Sequence, residues 1–167
     1  MPIFSSCSHS TSPKASGYVT PSLTGWQKDE PDAKGFDARA DTYRKRVGAT
    51  SIRMKFDLIP PSEGEKPDDL VALKKYGDSN LASARAKAPT LKVLEQKETT
   101  FRTFPAYLTR THNKTRRAEI ERKVLRVADG KNTFLIDQSL IGNPVDPSAR
   151  TEANAAWNKF STELQIP

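Results

Sequence analysis

Residues 118–141 read AEIERKVLRVADGKNTFLIDQSLI, and the fold class turns on whether their first part is a helix or a strand. Ile120, Val124 and Val127 keep a helical spacing, whereas Lys123, Leu125 and Val127 keep the two-residue period of a strand. Asp129-Gly130 is a strong hairpin dipeptide, and residues 133–141 beyond it are plainly β-type, so the strand is the better reading. Upstream, residues 99–110 are rich in Thr and aromatics, with Pro105 demanding an edge or a bulge, and His112-Asn113-Lys114 supplies turn chemistry. Downstream, Gly142-Asn143-Pro144 ends the strand, Asp146 stands as N-cap and Pro147 takes the first helical position. Ala149, Ala153, Ala156, Trp157, Phe160 and Leu164 then share one face of an amphipathic helix. Trp157, Phe160 and Leu164 are expected to anchor a core or a subunit interface.

Working outward, residues 101–131 carry nine Lys/Arg against three acids, nearly all of the net charge of +7 on 167 residues. A sequence pI near 9.6 suggests a polyanionic partner, because clustered cations release the counterions condensed on phosphates. Arg102, Arg110, Lys114, Arg116, Arg117, Lys123 and Arg126 are the expected phosphate contacts, and Tyr107 is placed to stack on a base of single-stranded RNA. The competing reading puts the aromatics in the core and leaves only the charges in solvent.

Elsewhere, Ile52, Met54, Phe56 and Leu58 alternate with Arg53, Lys55 and Asp57, the cleanest strand signature in the chain. Pro60-Pro61 ends it, and an acidic loop follows. Residues 41–47 read as a short basic helix or turn with Gly48 as stop. Leu70, Val71, Leu73 and Lys74-Lys75 suggest a short helix capped by Gly77, and residues 79–88 a second, Ala-rich one. An extended stretch is expected over 91–95. Residues 1–40 lack periodicity and scatter Ile3, Phe4, Tyr18, Leu23, Trp26 and Phe36 among Ser, Thr, Pro and Gly. They are expected to be either disordered or an extended arm that inserts single aromatics into another surface.

The fold expected is therefore α+β: an antiparallel β-meander with a C-terminal amphipathic helix over 41–167, preceded by an extended N-terminal arm over 1–40. Mean hydropathy of −0.67 leaves little apolar material to spare. Nothing approaches a membrane span, and MPIFSSCSHS lacks the apolar stretch of a secretory signal, so no membrane partner is expected. A single cysteine, Cys7, excludes a disulfide within one chain. His9 and His112 have no nucleophile elbow or phosphate loop beside them, and Cys7 with His9 makes no zinc site. No catalytic residue, metal, cofactor or small-molecule substrate is expected, and His112 reads as a phosphate-side contact.

The order from Thr99 onward is basic strand, basic turn, strand, Asp-Gly hairpin, TFLIDQSLI, and helix DPSARTEANAAWNKFSTEL. That layout, covering residues 99–164, resembles the coat proteins of single-stranded RNA bacteriophages. The resemblance implies a virion protein that dimerises through sheet edges, assembles into a capsid and binds genomic RNA on a basic sheet face. The chain departs from the family in its long N-terminal extension and in having little room for a second C-terminal helix. The rival expectation is an intracellular, soluble accessory subunit of a ribonucleoprotein or other large complex; an enzyme ranks third.

Overall fold

The computed structural model describes residues 17–30, 40–59 and 70–167. In chain order these form β1 (Gln27–Lys28), β2 (Ala40–Val47), β3 (Thr50–Ile59), α1 (Leu70–Lys87), β4 (Lys92–Phe101), β5 (Phe104–Lys114), β6 (Glu119–Ala128), β7 (Thr133–Gly142) and α2 (Pro147–Glu163). The strands make one antiparallel sheet in the order β1-β2-β3-β7-β6-β5-β4, so the chain is α+β. The stretch open to a helical or a strand reading is strand β6, and Asp129 builds the turn after it by accepting the Lys131 and Asn132 backbone N–H groups at 2.9 and 2.7 Å.

The two helices lie on opposite faces, and strand alternation sorts every side chain to one or the other. On the α2 side, Met54, Phe56 and Leu58 from β3, Phe134 and Ile136 from β7, and Leu125 and Val127 from β6 meet Trp157 and Phe160 in the main core, while Ile52 joins Leu140, Val145, Ala149 and Ala153 in a second cluster. Asp146 accepts the Ser148 backbone N–H at 2.8 Å and Pro147 opens the helix, as the sequence predicts. On the other side, α1 packs over β5 and β6 through Leu73, Gly77 and Leu81, with Leu70 partly buried beside them.

Four expectations are corrected. Residues 41–47 belong to β2 and not to a helix or turn: Asp41, Tyr43, Lys45 and Val47 point toward α2 and pair with β3 across a two-residue turn in which Gly48 has φ +58°. The two short helices are one, because Gly77 is not a cap but a point of close approach. A Cβ there would lie 2.7 Å from the Tyr107 ring. Residues 99–110 are not one strand but the junction of β4 and β5, folded back at Arg102-Thr103 with Pro105 opposite Thr100. Finally, part of the N-terminal segment belongs to the chain's own fold: Tyr18 and Leu23 are buried in the main core, and Val19 bridges to Gln165. Ile3, Phe4, Phe36, Cys7 and His9 lie outside the described residues.

Trp157, Phe160 and Leu164 are core and not a subunit interface, since the chain's own sheet leaves them 8, 0 and 1% exposed. Helix α2 covers one face, and α1 covers the β5–β6 part of the other. One of the two edge strands, β4, carries Lys92, Glu95, Lys97 and Glu98 and a bulge between Val93 and Glu95, features that discourage edge-to-edge pairing. Among the described residues, no helix is long and apolar enough to cross a membrane.

Candidate anion-binding surface

Alternation breaks up the basic block of residues 101–131. Arg102 sits in the β4–β5 turn at φ +56° and its Nη2 donates to the carbonyl of Leu164 at 2.7 Å, with longer contacts to Thr162 and Ser161. It satisfies the carboxyl end of α2 while remaining exposed. Tyr107 is buried under α1 and donates its hydroxyl to Asp78 at 3.1 Å, so its ring cannot stack on a base. Lys123 faces α2, with its ammonium 3.9 Å from the Trp157 ring centroid; burial pulls its pKa below the ordinary lysine value, and Arg110 nearby acts in the same direction. Arg126 faces α1 and is 6% exposed. Arg110 remains exposed on the α2 side, beside Glu95 at 3.4 Å. Lys114, Arg116 and Arg117 are exposed at the β5–β6 turn, which Thr115 fixes by accepting the Arg117 and Ala118 N–H groups.

His112 also turns out differently from expectation. Its Nε2 lies 2.9 Å from Glu119, whose other oxygen accepts the Val145 N–H at 2.7 Å. These two contacts, the Val145 N–H first, hold the Glu119 carboxyl below the usual carboxylate range. Glu121 completes a trio with ligand atoms within 4.8 Å of one another, yet it accepts both Nε and Nη2 of Arg150. Every member already has a partner within the protein, so the trio is an internal polar network joining β5, β6 and α2.

A different set of cations converges. On the face away from α2, Arg44 of β2 pairs across the sheet with Arg53 of β3, Arg53 with Ser139 of β7, and Ser139 with Arg122 of β6. Four adjacent strands thus present a row Arg44-Arg53-Ser139-Arg122, spanning about 14 Å at the usual strand spacing. Arg46 and Ser51 stand in the next row and border the same groove of about 450 Å³. Like charges directly opposite one another destabilise a strand pair, so the Arg44/Arg53 pairing runs against fold stability.

The countercharges are few. Asp137, buried between the arginines, receives Arg122 Nε and Nη2 at 3.0 and 2.7 Å and lies 3.7 Å from Arg53. Those hydrogen bonds raise the Arg122 pKa above its ordinary value. Arg44 reaches Asp29 at 2.7 Å. The Nε of Arg53 is buried without a hydrogen-bond partner. Sequence reasoning missed Arg44 and Arg46 because β2 was read as helical; its signal was the polar phase of ADTYRKRV, visible once that segment is set beside SIRMKFDLI.

No protein-family model matches the chain, and no curated protein matches it. Solved structures do share the fold. Protein PA94 of unknown function from Pseudomonas aeruginosa superposes with a TM-score of 0.56 over 90% of this chain and 96% of its own, at 13% identity. LpqN of Mycobacterium tuberculosis, described as involved in cell envelope biogenesis, superposes with a TM-score of 0.53 over 90% of this chain and 83% of its own, at 11% identity.

Proposed function

We propose that this protein is a non-catalytic binding subunit that holds single-stranded RNA by its phosphates along the Arg44-Arg53-Arg122 row. The observation that carries the reading is the in-register convergence of three arginines from three strands, a costly arrangement that an external polyanion would relieve. Guanidinium forks suit phosphate oxygens, and Asp137 orients two of them without neutralising the set. The aromatic residues of the sheet are committed to the α2 core or covered by α1. The mode of binding is therefore sequence-independent contact with the backbone, not stacking on bases.

The accessory-subunit reading is favoured over the self-assembling coat because the apolar residues expected to join subunits are used within the chain. The β4 edge is guarded by charge as well. Binding rather than catalysis follows from the same economy: the one His/Glu cluster among the described residues is internally paired.

The test is fluorescence anisotropy of a labelled 20-nucleotide single-stranded RNA titrated over a range of salt. Changing Arg44 and Arg46 together to Ala should flatten the slope of log affinity against log salt by about 0.7 per lost contact, without altering thermal stability by more than about 0.5 kcal/mol. Parent-like affinity and slope in that variant would remove the reading.

A further inference from the structure

The geometry points to a second, separate site: a cavity between α1 and strands β5 and β6 that takes a small aliphatic monocarboxylate. Arg126 projects from β6 beneath α1, and its Nη1 is buried with no hydrogen-bond partner. It makes no hydrogen bond or ion pair among the described residues. A guanidinium cannot shed its proton to escape burial, and Asp137 and Asp78 act on this one only from a distance, so the chain carries a buried cation with no carboxylate in direct contact.

A second side chain points to the same conclusion. Thr109 of β5 is 7% exposed, and its Oγ1 also has no partner. Tyr107 pairs with Arg126 and Thr109 with Val124, so Thr109 and Arg126 are diagonal neighbours on one face, about 7–8 Å apart along the backbone. Both border a cavity of about 200 Å³ roofed by Gly77, Leu81 and Ala84. Gly77 brings the helix close: a Cβ built on it would lie 3.5 Å from Arg126 Nη1.

The chemistry of the walls selects the occupant. A carboxylate offers a planar pair of acceptors to the Arg126 fork and accepts from the Thr109 hydroxyl. Leu81, Ala84, Leu91, Ile120 and Val124 make most of the remaining lining surface apolar, with Asn80, Thr111, Asn113 and Arg122 at its other positions, a balance that suits a short alkyl chain better than the further oxygens of a phosphate. At about 30 Å³ per water-sized group, the volume admits about six or seven non-hydrogen groups, the size of butanoate. The site is distinct from the arginine row, with which it shares only the Arg122 and Ile120 border.

The full chain would be titrated with sodium butanoate by calorimetry at fixed ionic strength, with butan-1-ol and inorganic phosphate as comparison ligands. The expectation is saturable binding of butanoate at one site, with each comparison ligand at least about tenfold weaker. Arg126→Met should abolish that binding, and Ala84→Phe should do the same by filling the cavity while leaving Arg126 and Thr109 in place. The Arg44→Ala/Arg46→Ala variant should bind butanoate like the parent, which separates failure here from failure of the RNA reading. If Arg126→Met does not fold, Ala84→Phe and Thr109→Val decide, the latter weakening binding about severalfold. No butanoate binding by the parent means that the cavity holds only water and overturns the inference. So does alcohol or phosphate bound as tightly as butanoate, or unchanged binding in Ala84→Phe.

Discussion

The same four strands present two unlike faces. Toward α2, β3 and β7 direct Met54, Phe56, Phe134 and Ile136 into a layer closed by Trp157 and Phe160, with aromatic rings in tilted and edge-on contact at 5.6 to 6.2 Å. On the opposite side the same two strands show Arg53, Lys55, Asp137 and Ser139, and α1 reaches only as far as β6. One face is spent on stability, and the other keeps charges at a cost to stability. What the contrast teaches is that a small basic protein with limited apolar material can concentrate its core on one side of a sheet and leave charged residues on much of the other.

The comparison is most directly broken by Phe160→Ala. This side chain is fully buried under β2, where its ring meets Tyr43 at 5.9 Å. Its loss should cost about 3–5 kcal/mol in denaturant unfolding. A loss below about 1 kcal/mol would mean that the α2 face is not the principal core. Gly77→Ala tests the other side: the added methyl must push the Tyr107 ring or lift α1, with a cost of about 1–3 kcal/mol. Hydrogen exchange should then quicken in α1 while β3 and β7 stay protected, and equal quickening in both would make the two faces one cooperative unit. The smallest effect is expected from Arg116→Ala with Arg117→Ala. Both sit on the exposed β5–β6 turn and do not line the groove, so stability should hold within about 0.5 kcal/mol. Their effect on the salt slope of RNA binding should be smaller than that of the Arg44/Arg46 pair. A larger effect would move the recognition surface from the open sheet face to the β5–β6 turn.

How much of this was legible in the sequence follows from which contacts were local. Strand β3 announced itself because Ile52, Met54, Phe56 and Leu58 alternate against polar neighbours and are all buried on one side. Helix α2 did so through Asp146, Pro147 and the Ala/Trp/Phe stripe, whose physics is complete within one element. Strand β2 did not, because the residues it turns toward α2 include Asp41 and Lys45. Their burial is made tolerable by partners distant in sequence: Thr20 donates to Asp41 at 2.6 Å, and Lys45 reaches Glu152 at 2.6 Å. The basic block was visible as charge but not as a surface. The parity of β6 sends Lys123 one way and Arg126 the other, and no composition count distinguishes them. The arginine row needed the order β2-β3-β7-β6, which joins residues 44 and 122 through a strand near the end of the chain.

The seam between β3 and β7, which pairs Ser51 with Ile141 through to Ile59 with Thr133, has a further consequence. In a ladder of period two, slipping one strand by a single residue exchanges its faces. Such a slip of β3 would carry Arg53 and Lys55 into the aromatic layer and turn Met54 and Phe56 out to water. It would also scatter the arginine row. Register of the one is therefore register of the other: any chain that has found its core has already aligned its cations.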